Sequence, residues 1–194
     1  MNTSSLVPTY WRDQGIEQVL IDEASIARRV RELGQELSLE FADGKDVVLV
    51  AVLTGAVVFA ADLMRAIPTR VAISMVSVTS YGASTTSQGA VLSSALPKNL
   101  AGKHVVIVDE VLDSGGTLRL LRTELSLLGV ASLRACVLLR KQREQAMSTK
   151  CEMVGFDIPD VFVVGYGLDF NDEFRNMSFV GVLGEDGIRE RSPR

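Results

Sequence analysis

Residues 104–118 read HVVIVDEVLDSGGTL. The run from His104 to Val108 is apolar at successive positions, as in a strand covered on both faces of a sheet. It stops at two adjacent acids, Asp109 and Glu110. After Val111 and Leu112 come Asp113, Ser114, Gly115, Gly116 and Thr117, and then a stretch of helical period. The first amides of such a helix have no partner inside it and carry the positive end of its dipole. Glycines let a ligand approach the backbone closely, and Ser114 and Thr117 add hydroxyls, so the turn can cradle a phosphate. It is not a Walker A loop, because the GxxxxGK spacing is absent. A plain helix-capping loop would account for the turn but not for the acid pair. Two carboxylates beside an anion site repel the anion unless something else is bound. They accept hydrogen bonds from sugar hydroxyls and bind Mg²⁺ directly or through water. A sugar phosphate with a metal satisfies both halves of the stretch.

The surrounding sequence alternates between two periods. Residues 22–38 carry Ile26, Val30, Leu33 and Leu37 on one helical face, with Asp22 as the predicted N-cap. Strands are predicted over 46–53, 71–78, 91–96, 104–110, 131–139 and 161–165, and helices over 56–66 and 117–128, the first ended by Pro68 and the second by Gly129. Residues 80–89, SYGASTTSQG, are small and polar and read as a mobile loop. Residues 1–20 show no clear period. Strand–helix alternation of this kind predicts an α/β domain with a mainly parallel sheet flanked by helices. Ligands in such sheets bind outside the carboxyl ends of the strands.

The chain has 194 residues, enough for one domain with a sizeable core, and 47% of them are hydrophobic against 23% charged. Net charge is −4, which argues against a nucleic-acid partner. Apolar runs such as VVLVAVL (47–53) are too short to span a bilayer. Cys136 and Cys151 are the two cysteines, with neither disulfide-framework nor zinc spacing. The N-terminal MNTSSLVPTYW lacks the basic and apolar regions of a signal peptide. These features lead to the expectation of a cytoplasmic protein with no membrane partner.

VVIVDEVLDSGGTL resembles the phosphoribosyl diphosphate (PRPP) signature of type I phosphoribosyltransferases, with the acid order Asp-Glu in place of the more usual Glu-Asp or Asp-Asp. The resemblance implies that Asp109 and Glu110 hold the ribose hydroxyls and that Asp113, Ser114, Gly115, Gly116 and Thr117 wrap the 5′-phosphate. LTGAVVFAADL (53–63) is similar to the pyrophosphate loop of hypoxanthine-guanine phosphoribosyltransferases, which implies a site at Leu53, Thr54 and Gly55 with a cis Leu53–Thr54 bond. Many relatives carry Lys or Arg where this chain has Thr54, so a positive charge near the leaving group is missing here. Taken alone, LTG before a helix is equally a structural turn. The Ser80-Tyr81 pair resembles the start of the family's flexible catalytic loop, a lid that excludes water.

LLRKQRE (138–144) and VGFDIPDVFVVGYGLDFNDEFRN (154–176) resemble the purine-specificity region. On that resemblance Lys141 reads the purine 6-oxo group, Phe162 stacks on the base and Val163 offers backbone groups to the ring edge. Asp169 ligates Mg²⁺ and lies beside the base, and Arg175 grips pyrophosphate oxygens. Without the resemblance, Lys141 reads as a solvated charge and Phe162 as core. The implied cofactor is Mg²⁺, held by Asp169, Glu110 and Asp109. The implied substrates are PRPP and a 6-oxopurine, in a single domain over 1–194 with a hood from about 1–40 and 166–187. The implied reaction transfers the phosphoribosyl group to N9 of hypoxanthine or guanine, with Asp113 as the catalytic base. A homodimer or homotetramer is expected. A xanthine-preferring enzyme and a non-enzymatic nucleotide- or RNA-binding regulator on the same fold are the alternatives. Residues 1–14 and the basic tail 188–194 match no part of the pattern.

Overall fold

A computed structural model describes residues 6–41, 45–80 and 90–191. A short helix α1 (Thr9–Asp13) leads into strand β1 (Ile16–Ile21) and then helix α2 (Glu23–Glu40). Asp22 caps α2 as the sequence predicts, its carboxylate accepting a hydrogen bond from the Ser25 N–H at 2.7 Å. The chain continues through β2 (Val47–Leu53), α3 (Val57–Ala66), β3 (Ala72–Ser80), β4 (Ala90–Leu92), β5 (His104–Leu112), α4 (Gly116–Ser126) and β6 (Ser132–Lys141). It ends with α5 (Glu144–Ser148), β7 (Met153–Ile158), β8 (Val163–Val164), β9 (Val180–Leu183) and α6 (Glu185–Arg191).

The main sheet has six strands in the order β4-β3-β2-β5-β6-β7. All neighbours are parallel except β4, which turns back antiparallel on β3. Alternation along the strands explains why they are apolar throughout. Leu49 and Ala51 of β2 and Val106 and Val108 of β5 face α2 and α3, packing with Ile26, Leu33, Phe59 and Leu63. Val48 and Val50, with Val105 and Ile107, face the other way onto Leu118, Leu121 and Leu125 of α4. β2 and β5 at the centre therefore bury both faces, as in a covered parallel sheet.

A second sheet of three antiparallel strands, in the order β1-β9-β8, joins residues from opposite ends of the chain. Ile16, Val19, Val164, Phe174, Met177, Phe179 and Leu183 form its own cluster. Of residues 1–40, β1 lies in this sheet while α2 packs into the main core. Strands β1, β7 and β9 escape the sequence reading. In β1 two register irregularities break the period of two, and in β7 the outward residues alternate weakly.

Three strands run past the ends the sequence predicts, β3 to Ser80 among them, and two of these extensions matter for the site. β5 continues to Leu112 and β6 to Lys141, because the two remain paired through Val111–Leu139 and Leu112–Arg140. Asp113 and Lys141 therefore leave adjacent strands side by side. Ser80 is the last residue of β3, while Tyr81 and the rest of the expected loop to Gly89 lie outside the described residues. The tail expected to match nothing contributes α6, whose Arg191 bonds Gln14 at 2.8 Å and lies over the Phe174 ring. Among the described residues no helix is long and apolar enough to cross a membrane.

Candidate functional site

A cavity of about 240 Å³ opens at the carboxyl ends of β2 and β5, lined by Val52, Leu53, Val78 and every residue from Asp109 to Leu118. It lies where the parallel-sheet rule puts ligands. Ligand pockets typically span roughly 300–1,000 Å³, so the cavity matches part of a ligand and not the whole of one.

The acid pair forms its wall. Asp109 is buried, and its Oδ1 accepts the backbone N–H of Glu110 at 3.0 Å. Burial first, and then the charge of Glu110, push Asp109 well above the usual carboxylate range. Burial raises Glu110 as well. One Glu110 oxygen, Oε2, is buried without a hydrogen-bond partner. Such a group calls for a donor or a cation that a ligand would bring. Oxygen donors of this kind suit Mg²⁺, which binds through one or two carboxylates, its own waters and substrate phosphates. Among the described residues no three acids, histidines or cysteines converge on one point. Asp169 is taken by Arg175 at 2.9 Å and by the Asp172 N–H at 2.9 Å. Asp109, Glu110 and Asp169 all offer oxygens of the kind the ion takes, and Asp169 is paired with Arg175.

The glycine turn is shaped from behind. Gly115 is the residue before α4 and has φ +78°. A Cβ there would meet Thr149 Oγ1 at 2.0 Å and Arg119 Nη1 at 2.6 Å. Arg119 and Thr149 are themselves bonded at 2.8 Å, a brace under the turn that the sequence does not advertise. Only glycine satisfies both the backbone conformation and the space.

Leu53 reaches the cavity at the end of β2, the Leu53–Thr54 bond is cis, and Thr54 is exposed. Gly55 lies against Glu110, and a Cβ on Gly167 would meet the Gly55 carbonyl at 2.1 Å. Through Gly167 the segment that follows β8 is pressed onto the loop after β2. Arg175 holds that segment by donating to the Gly167 carbonyl at 2.8 Å and pairing with Asp172 at 3.0 Å. Arg175 and Asp169 are near enough to Glu110 to act on it with opposite signs.

Lys141 is almost fully buried, and its Nζ reaches Asp113 Oδ2 at 3.1 Å. Two residues the sequence reading passed over complete the group. Arg143 Nη1 meets Asp113 Oδ1 at 2.5 Å, and Arg143 Nε meets Asp160 Oδ2 at 2.6 Å. Arg143 holds Asp160 below the usual carboxylate range. The nearest signal is the charge density of RKQRE, which reads as a solvated face. Phe162 is 41% exposed, its edge against Phe170 with centroids 5.4 Å apart. The Phe162 carbonyl accepts from the Leu183 N–H at 3.1 Å, so Val163–Val182 is a pair without mutual hydrogen bonds. The N–H and C=O of Val163 point away from β9, on the outer edge of the small sheet. The structure thus gathers Leu53, Gly55, Asp109 to Thr117, Lys141, Asp169 and Arg175. Gly55, Lys141, Asp169 and Arg175 stand around the cavity rather than in its wall, and Phe162 and Val163 lie by the small sheet, also outside that wall.

A six-stranded, mainly parallel sheet with this acid pair and glycine turn at its carboxyl edge defines the phosphoribosyltransferase class. The chain belongs to the phosphoribosyl transferase domain family, whose model matches residues 17–171. It is 42% identical over 174 residues to the hypoxanthine-guanine phosphoribosyltransferase of Mycobacterium avium, covering 87% of this chain and 86% of that protein. The enzyme of the same name from Dictyostelium discoideum is 39% identical over 173 residues, covering 87% and 96%. The crystal structure of a hypoxanthine phosphoribosyltransferase from Staphylococcus aureus superposes with a TM-score of 0.86 at 31% identity, covering 96% of this chain and 100% of that one.

Proposed function

We propose that the protein is a cytoplasmic purine-salvage enzyme that transfers the phosphoribosyl group of PRPP to N9 of hypoxanthine or guanine, releasing pyrophosphate. The observation that carries this reading is the adjacency of Asp113 and Lys141 at the mouth of a cavity walled by Asp109, Glu110 and the 113–117 turn. One element recognises a sugar phosphate, and the next strand supplies a donor for the base.

The turn amides, Ser114 and Thr117 bind the 5′-phosphate, and Asp109 and Glu110 accept from the ribose hydroxyls. Mg²⁺, held by Asp169, Glu110 and Asp109, would neutralise charge on the pyrophosphate group. Arg175 and the backbone of Leu53, Thr54 and Gly55 hold the leaving group, with donors aimed at charge that develops as the C1–oxygen bond breaks. N9 forms the new bond to C1, and Asp113 accepts the proton from purine N7. Lys141 is a donor without acceptor capacity, so it favours a 6-oxo over a 6-amino group. A site built around such a bond rejects the mismatched base strongly. Phe162 stacks on the ring and Val163 meets its edge. On the resemblance to the family, Ser80 and Tyr81 take part in excluding water from the reacting centre. The single domain carries the β1-β9-β8 sheet as its hood and works as a homodimer or homotetramer.

Pyrophosphate release from PRPP and Mg²⁺ with hypoxanthine, guanine, xanthine and adenine in turn tests the reading. Turnover with hypoxanthine or guanine and none with adenine is expected. No release with any base would overturn it.

A further inference from the structure

Asp113, Lys141, Arg143 and Asp160 form a closed group of two cations and two carboxylates. The partners are not held equally. Arg143 spans both acids at 2.5 and 2.6 Å, while Lys141 reaches the same two acids at 3.1 and 3.8 Å. A guanidinium can do this because its donors are fixed in a planar fork; an ammonium is a point charge and here holds the two acids less closely. The geometry also sets what each cation can afford to lose. Lys141 has a side chain only 10% exposed, and a buried ammonium drawn into a tight ion pair would not turn to a neutral carbonyl. With both acids already satisfied, Lys141 is the loosely held member.

We propose that Arg143 is a positioning residue for base recognition: by bridging Asp113 and Asp160 it keeps Lys141 free to donate to the purine 6-oxo group. The role rests on the reading of the base site given above and extends it to two residues that the site pattern leaves unassigned. Asp160 fixes the far end of the fork at 2.6 Å and meets Lys141 only at 3.8 Å. Removing Arg143 leaves one ammonium facing two carboxylates, which pull it away from the base. Removing Asp160 as well restores the balance, one cation to one acid, with Lys141 again shared between Asp113 and the purine.

The test is steady-state kinetics on the full chain with hypoxanthine and PRPP varied separately. In R143Q the KM for hypoxanthine is expected to rise about tenfold, the range of a lost hydrogen bond to a charged donor, while the KM for PRPP stays within about twofold. In R143Q/D160N the hypoxanthine KM is expected to recover by at least about threefold with the PRPP KM still unchanged, a recovery confined to the base that a general loss of structure would not show. If R143Q does not fold, R143K replaces it under the same criteria, since lysine keeps the charge but lacks the planar fork that holds both acids close. An unchanged hypoxanthine KM in the single variant, or a double variant no better than the single, overturns the role of Arg143 alone. An unaltered protein without turnover on any 6-oxopurine overturns this role together with the function it rests on.

Discussion

Gly55 and Glu110 are packed so closely that a β-carbon on the first would lie 1.9 Å from Oε1 of the second. The loop after β2 and the acid at the end of β5 thereby define one another's position. Gly55→Ala must push the Glu110 head out of its buried place. Turnover is expected to fall about tenfold or more, because a displacement on the order of 1 Å at a positioned group is costly, while stability changes by about 1 kcal/mol. Gly167→Ala differs: its Cβ would strike the Gly55 backbone carbonyl at 2.1 Å, and its φ is +100°. Backbone cannot swing aside as a side chain can, so a loss of about 1–3 kcal/mol is expected. Chemical denaturation with parallel activity assays separates the two, and a Gly55→Ala protein of full activity would deny Glu110 its place in the site.

Asp113→Asn tests the base. The variant keeps the shape of the carboxylate but cannot accept a proton. The rate of chemistry is expected to fall by about 10²–10⁴, with PRPP affinity changed only a few-fold. Single-turnover kinetics alongside PRPP titration makes the comparison. Equal turnover would remove Asp113 from this role.

Asp109→Asn is expected to stabilise the ligand-free protein while lowering its activity. The folded state holds the Asp109 carboxyl well above its ordinary range, because burial and Glu110 oppose its charge. A group with a raised folded pKa binds more protons folded than unfolded, so its contribution to stability falls as pH rises above the ordinary carboxylate range. Asparagine removes that penalty and can still accept the Glu110 N–H. The gain should be about 1–3 kcal/mol at neutral pH and vanish near pH 4, as thermal melts at the two pH values would reveal. Equal melting temperatures for variant and parent at neutral pH would mean that the buried charge costs nothing.

Phe162→Ala examines base stacking. Aromatic stacking on a base is worth about 1–3 kcal/mol, so the KM for hypoxanthine should rise about tenfold. Stability should hardly move, since the ring is 41% exposed. An unchanged purine KM would place the base elsewhere.

Much of the site was legible in the chain because it is local. The strand, acid pair, glycine turn and helix of 104–126 are contiguous, and each link has its own physical signature in residue type. The apolar runs of β2, β5 and β6 announced a sheet covered on both faces, and Asp22 announced the start of α2. Lys141, Phe162 and Arg175 were visible only through the ordered resemblance around them. Arg143 and Asp160 carried no such mark, since a charge in RKQRE or after Pro159 looks the same whether it meets solvent or a partner.

By itself the sequence determined the α/β architecture, the phosphate turn and the family, all properties of local period and contiguous motif. Only the tertiary structure decided which charges would meet. The pairing of β5 with β6 as far as Leu112 and Arg140 sets Asp113 beside Lys141. The union of β1 with β9 joins the two ends of the chain, and the approach of Gly167 to Gly55 fixes the loop after β2. Such contacts link residues far apart along the chain, where the register of a sheet, rather than the identity of either neighbour in sequence, determines the distance.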